Sequence, residues 1–81
     1  MITLKNFGIA REILQQRELS LDPEPLEIQN VGDLRTYLFS KYDRLAMVSS
    51  VAFAVNEEYA EDHVELRNGD TIAVIPPVSG G

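Results

Sequence analysis

In "ITLKNF", Ile2 and Leu4 alternate with Thr3 and Lys5. That period of two marks a strand with one buried face, because successive side chains point to opposite sides of a sheet. "GIAREILQQ" changes the period. Ile9 and Ile13, and beside them Ala10 and Leu14, recur at four-residue steps, while Arg11, Glu12 and Gln15 fall on the water side, so a short helix or helical loop is predicted. Leu19 and Leu21 alternate again with polar neighbours, which predicts a second strand over 18–22. Pro23 and Pro25 cannot donate to a ladder and make the stretch up to Gln29 a connection.

The clearest helix start is "NVGDL". Asn30 is a good N-cap, and the carboxylate of Asp33 falls in the first turn, where the helix dipole favours it. Leu34, Leu38, Tyr42 and Leu45 then recur at three- and four-residue steps, bordered by Val31 and Tyr37, with Arg35, Thr36, Lys41 and Asp43 on the polar side. This is the principal core helix, and its aromatics are expected as packing. "SVAFAVN", from Ser50 to Asn56, is a continuous apolar run too short for a helix, as expected of a strand covered on both faces or meeting a partner on one. "NEEY" reads as a turn and "HVEL" as one short strand. Asn68-Gly69 is a strong hairpin signal because both residues tolerate positive φ, and "TIAVI", Thr71 to Ile75, is the final strand, ended by Pro76.

The order of elements predicts an α+β domain, with one principal helix and a short helix on a mixed four- to five-stranded sheet. A parallel pairing of the first and last strands needs a right-handed crossover. One helix held by such a sheet is the β-grasp, or ubiquitin-like, arrangement, although the pattern alone is shared with other small α+β folds. Residues 1–75 are expected as the folded body and 76–81 as an extended tail.

Composition narrows the chemistry. An 81-residue chain with 44% hydrophobic residues and 25% charged residues suits one small globular domain. Thirteen acids against seven bases give a net charge of −6, which repels phosphate backbones and anionic lipid and leaves nucleic acid and membrane as poor partners. The acids crowd between Glu57 and Asp70, either as a solvated face or as a surface for a basic partner. Cysteine is absent and histidine occurs once, at His63, so neither a thiol nucleophile nor a zinc site is expected. No apolar run is long enough to cross a bilayer and the first residues lack the features of a signal peptide, so a cytoplasmic protein is expected.

The chain ends in "PPVSGG". Pro76 and Pro77 remove backbone donors, so the sheet cannot continue and the chain leaves it extended. Val78 offers an apolar contact and Ser79 a hydroxyl; Gly80 and Gly81 have no Cβ and fit a narrow channel. One reading is a frayed end. The other is a terminal carboxylate presented to a second protein, which would join it to AMP and expose the acyl-adenylate to a sulfur or nitrogen nucleophile. The chain itself offers no phosphate-binding glycine loop and no catalytic constellation for that work.

"NGDTIAVIPPVSGG", with "FGIAREIL", "NVGDLRTYL" and "AVNEEY", resembles the MoaD family of small sulfur-carrier subunits of molybdopterin synthase, over essentially the full length. The resemblance implies a β-grasp fold and a non-catalytic carrier that binds no cofactor. Gly81 would be adenylated by an ATP-dependent, MoeB-like activating enzyme and converted to a thiocarboxylate with sulfur from a donor protein. Gly80 would let the tail enter the active site of a MoaE-like large subunit, in a heterotetramer, where sulfur passes to cyclic pyranopterin monophosphate. With no cysteine to hold a persulfide, any sulfur carried covalently must sit at the terminus. The matching partner contacts are Phe7, Tyr59 and Ile75, followed by Pro76, Pro77, Val78 and Ser79. The Gly-Gly end also fits a thiamine-type sulfur carrier or a ubiquitin-like modifier, and the body alone fits a non-covalent interaction module.

Overall fold

The computed structural model describes residues 1–48 and 50–77. Its order is β1 (Ile2–Asn6), α1 (Gly8–Leu14), β2 (Glu18–Leu21), α2 (Val31–Lys41), α3 (Asp43–Ala46), β3 (Ala52–Val55), β4 (Glu58–Ala60) and β5 (Thr71–Ile75). The strands form one mixed sheet in the order β2-β1-β5-β3-β4. β1 and β5 run parallel at its centre, with Leu4 beside Ile72 and Asn6 beside Val74, while the remaining pairs are antiparallel. No helix among the described residues is long and apolar enough to cross a membrane.

The alternation read from the sequence decides what is buried. Ile2, Leu4, Phe53, Ile72 and Val74 point to one face of the sheet and are fully buried, or nearly so, against Val31, Leu34 and Leu38 of α2 and Leu45 of α3. In α1 the inner stripe is Ala10 and Leu14, whereas Ile9 is 38% exposed. Truncating one of the buried leucines, such as Leu38, would cost about 2–5 kcal/mol through lost burial and the cavity left behind.

The start of α2 is built as its sequence predicts. Asn30 Oδ1 accepts from the Asp33 amide at 2.8 Å, and the Asp33 carboxylate accepts in return from the Gln29 amide at 2.9 Å. Two further amides of the first turn donate to the loop after β4, Val31 to the Val64 carbonyl at 3.0 Å and Gly32 to the Asp62 carbonyl at 2.9 Å. Gly32 is needed for that approach, since a Cβ there would lie 3.2 Å from Asp62 Cβ. Arg35, on the next turn, donates to Asp62 Oδ1 at 2.9 Å and to the Val51 carbonyl at 3.1 Å, and lies over the Phe53 ring at 4.9 Å from its centroid.

Four sequence expectations change. The principal helix does not run through to Leu45: Tyr42 leaves helical geometry at φ −121° and ψ 88°, and α3 restarts after it. Leu45 is nevertheless buried, because the new axis returns it to the core. "NEEY" is a turn only at Asn56-Glu57, both with positive φ (49° and 74°); Glu58 and Tyr59 belong to β4, so β3 and β4 form a tight hairpin. "HVEL" makes no strand, only an isolated bridge between Glu65 and Asn30, because its backbone is used to close the end of α2. Asn68-Gly69 accordingly turns the chain into β5 without joining two strands, and only Gly69 takes positive φ, 94°.

Candidate docking face and tail base

All three helices pack on one side of the sheet, and the opposite side carries the candidate site. Because of the strand register, Lys5, Ala73, Ala54 and Tyr59 form one row across β1, β5, β3 and β4, and Ile75 and Ala52 form the next. Small side chains occupy the middle of this surface and larger ones stand at its margins. Tyr59 is 76% exposed and Phe7 50% exposed. A hollow of about 490 Å³ lies over the alanines, lined by Lys5, Phe7, Ala54, Asn56, Glu57, Thr71 and Ala73. In β3, Phe53 enters the core, and Ala52 and Ala54 face the other side of the sheet.

β5 ends beside Phe7 and Gly8, with Pro76 packed against them. The Phe7 amide donates to the Val74 carbonyl at 3.2 Å, which seats Phe7 beside the last strand. Gly8 follows with φ 54°, a left-handed conformation favouring glycine, and a Cβ there would lie 3.1 Å from Pro76 Cγ. Pro76 is buried by this packing and Pro77 is exposed, so the first proline belongs to the body and the second begins the departure from it. A second hollow, about 590 Å³, surrounds the exit, lined by Phe7, Ile9, Val48, Ile75 and the two prolines together with Gly8.

Phe7, Ile75, Pro76 and Pro77, singled out from the sequence, therefore meet around one opening. Tyr59 shares the sheet face but stands across β3, at the far margin. Val78, Ser79, Gly80 and Gly81 lie outside the described residues. The sequence reading missed Gly8, Ile9, Val48 and the outward alanines. Gly8 carried a signal in its place between a strand and a helix, whereas Ile9 was misplaced because two apolar stripes in α1 have the same spacing.

The acidic stretch is partly structural. Asp62 holds Arg35, and Asp70 accepts from Asn56 Nδ2 at 2.9 Å and from the Arg67 amide at 2.8 Å, fixing the approach to β5. His63 is exposed, with Nδ1 3.7 Å from Glu61 Oε2. Among the described residues no group of three His, Cys, Asp or Glu side chains is arranged to hold a metal ion. Among the described residues the arrangement offers shape: two hollows that share Phe7.

A mixed five-stranded sheet with its helices on one face is the β-grasp, or ubiquitin-like, class of fold. The chain belongs to the ThiS family, whose model matches residues 4–81. It is 52% identical over 88 residues to the molybdopterin synthase sulfur carrier subunit of Aedes aegypti, covering 99% of this chain and 88% of that protein. Among solved structures, it resembles a putative molybdopterin converting factor subunit 1 from Pyrococcus furiosus, with TM-score 0.76, 25% identity and coverage of 95% and 97% of the two chains. The same fold recurs in a complex of subunits 1 and 2 of the molybdopterin-converting factor from Helicobacter pylori, with TM-score 0.67, 23% identity and coverage of 99% and 97%. The resemblance to the MoaD family read from "PPVSGG" and its companion motifs agrees with these relatives.

Proposed function

We propose that this chain is the sulfur-carrier subunit of a molybdopterin synthase. The observation that carries the proposal is its 52% identity, over nearly its whole length, to a molybdopterin synthase sulfur carrier subunit. The geometry supports it: Phe7 lines both the sheet-face hollow and the hollow beside Pro76 and Pro77, so a partner resting on the sheet face lies next to the base of the tail.

In this reading the large subunit binds the sheet face through Phe7, Tyr59 and Ile75, and Pro76 to Ser79 guide the tail into its active site. Gly80 passes the narrowest part, and Gly81 carries the sulfur. The work begins with the Gly81 carboxylate, a poor electrophile. A separate ATP-dependent activating enzyme joins it to AMP, and a sulfur nucleophile supplied by a donor protein then displaces AMP to leave a thiocarboxylate. That sulfur is passed to cyclic pyranopterin monophosphate inside the large subunit. The assembly is a heterotetramer acting in the cytoplasm, with the small subunits at its ends.

The test is reconstitution: the thiocarboxylated chain, mixed with its matching large subunit and cyclic pyranopterin monophosphate, forms the dithiolene product. Absence of product, with the large subunit active toward a known carrier, would overturn the assignment and leave a carrier of another pathway.

A further inference from the structure

On the other side of Phe7 from the tail exit lies a third hollow, of about 390 Å³, lined by Lys5, Asn6, Phe7, Arg11, Arg17 and Glu18. Its charge opposes that of the molecule. The chain carries seven bases and a net charge of −6, yet three of those bases line this one hollow against a single acid, Glu18. The salt bridges among the described residues involve Arg35 with Asp62 and His63 with Glu61, so neither Lys5, Arg11 nor Arg17 is held in one.

The cations are gathered by the backbone. α1 ends at Gln15, whose left-handed φ of 60° reverses the chain. Asn6 then draws the returning strand back against β1: its Nδ2 donates to the Gln16 carbonyl at 3.0 Å and its amide to the Arg17 carbonyl at 2.8 Å. Arg17 is thereby held opposite Asn6, with Glu18 paired across from Lys5, while Arg11 comes from the last turn of α1. Asn6 is only 4% exposed, and its Oδ1 has no hydrogen-bond donor among the described residues. An acceptor oxygen does not attract carboxylates, so the hollow's preference for an anion rests on Lys5, Arg11 and Arg17.

We infer that this hollow is an electrostatic docking site for an acidic segment of the large subunit, with partner carboxylates meeting Lys5, Arg11 and Arg17. The inference rests on the functional reading above, because it names the same partner. Continuity favours that occupant: Phe7 lines the hollow, the sheet-face cavity and the tail exit alike, so a protein seated over the exit also reaches the cations. Charge favours it too. A chain of net charge −6 repels a polyanion as a whole, but a short acidic loop placed against three bases feels the local field. The site would orient the subunit on its partner and speed encounter, leaving the apolar contacts around Phe7 and Ile75 to hold the complex.

The test is binding of the full chain to its matching large subunit across a salt series, comparing wild type with the double variant Arg11→Glu/Arg17→Glu and with Phe7→Ala. Thermal unfolding and a circular dichroism spectrum establish that each variant is folded; Arg11→Gln/Arg17→Gln replaces the reversal if that variant is not. The charge-reversed protein is expected to bind at least about tenfold more weakly at low salt, chiefly through slower association, with the difference shrinking as salt rises. Unchanged affinity and salt dependence, with Phe7→Ala still weakened, would overturn the site while leaving the partner assignment standing. If wild type itself does not bind the large subunit, both fall. Inorganic phosphate that displaces the large subunit at constant ionic strength through these two arginines would reassign the hollow to small anions.

Discussion

Gly8 packs against Pro76, just past the last strand. Its φ of 54° and the 3.1 Å separation between an added Cβ and Pro76 Cγ make any side chain there both strained and crowded. Gly8→Ala is expected to destabilise the fold by about 1–2 kcal/mol, from the left-handed conformation and the displacement of Pro76. In a domain of this size that lowers Tm by roughly 4–8 °C for each kcal/mol, which a thermal scan resolves. Asn30 supplies a comparison far from the tail. Asn30→Ala removes the bond to the Asp33 amide and should cost about 1 kcal/mol without altering partner affinity, because the capped end of α2 lies with the helices, on the side of the sheet away from the docking face. A variant that loses affinity as well as stability at Gly8, beside one that loses stability alone at Asn30, identifies the tail base as functional.

Among the elements, the β3–β4 hairpin is where the docking face is most open to adjustment. Its turn places Asn56 and Glu57 at φ 49° and 74°, the first suited to asparagine and the second costly for glutamate. Glu57→Gly is expected to raise stability by up to about 1 kcal/mol in a denaturant titration, since glycine follows asparagine in the favoured tight hairpin turn. Tyr59, on the following strand, is 76% exposed and should contribute little to folding. Tyr59→Ala therefore leaves Tm nearly unchanged and weakens binding to the large subunit by about 1 kcal/mol or more.

These elements also show how far the sequence could be read. β1, β2, β5 and the start of α2 were legible because each depends on a local rule: alternation, a proline boundary, or a capping side chain. The break at Tyr42 was hidden because Leu38, Tyr42 and Leu45 keep helical spacing across it, so the pattern is the same whether the axis is straight or bent. "HVEL" alternates like a strand, but its Val64 carbonyl, with that of Asp62 just before it, serves the amides of α2, a long-range use that leaves no mark in the local pattern. At the candidate site, exposure separated the two stripes of α1 and brought Ile9 to the tail base, while Phe7 and Ile75 were placed from the family resemblance.

At the scale of the whole molecule, the work is divided between faces. The helices and the inner side of the sheet supply the core, the outer side offers a surface of small and aromatic residues, and Pro76, just past β5, is packed against Gly8. Folding, docking and sulfur transfer should then be separable. Removing Gly81 is expected to leave Tm and most of the affinity for the large subunit intact, because the core and the sheet face are unaltered, while abolishing dithiolene formation. Calorimetry and the reconstituted synthase assay, run on the same preparation, read the two properties apart.

The central claim, that the cargo is carried at the carboxylate of Gly81, is tested most directly by intact mass after co-production with a MoeB-like activating enzyme and a sulfur donor. The account predicts a species in which one oxygen is replaced by sulfur, located at Gly81 by fragmentation of the C-terminal peptide. A chain that keeps its plain carboxylate under conditions that thiolate a known sulfur carrier subunit would contradict it.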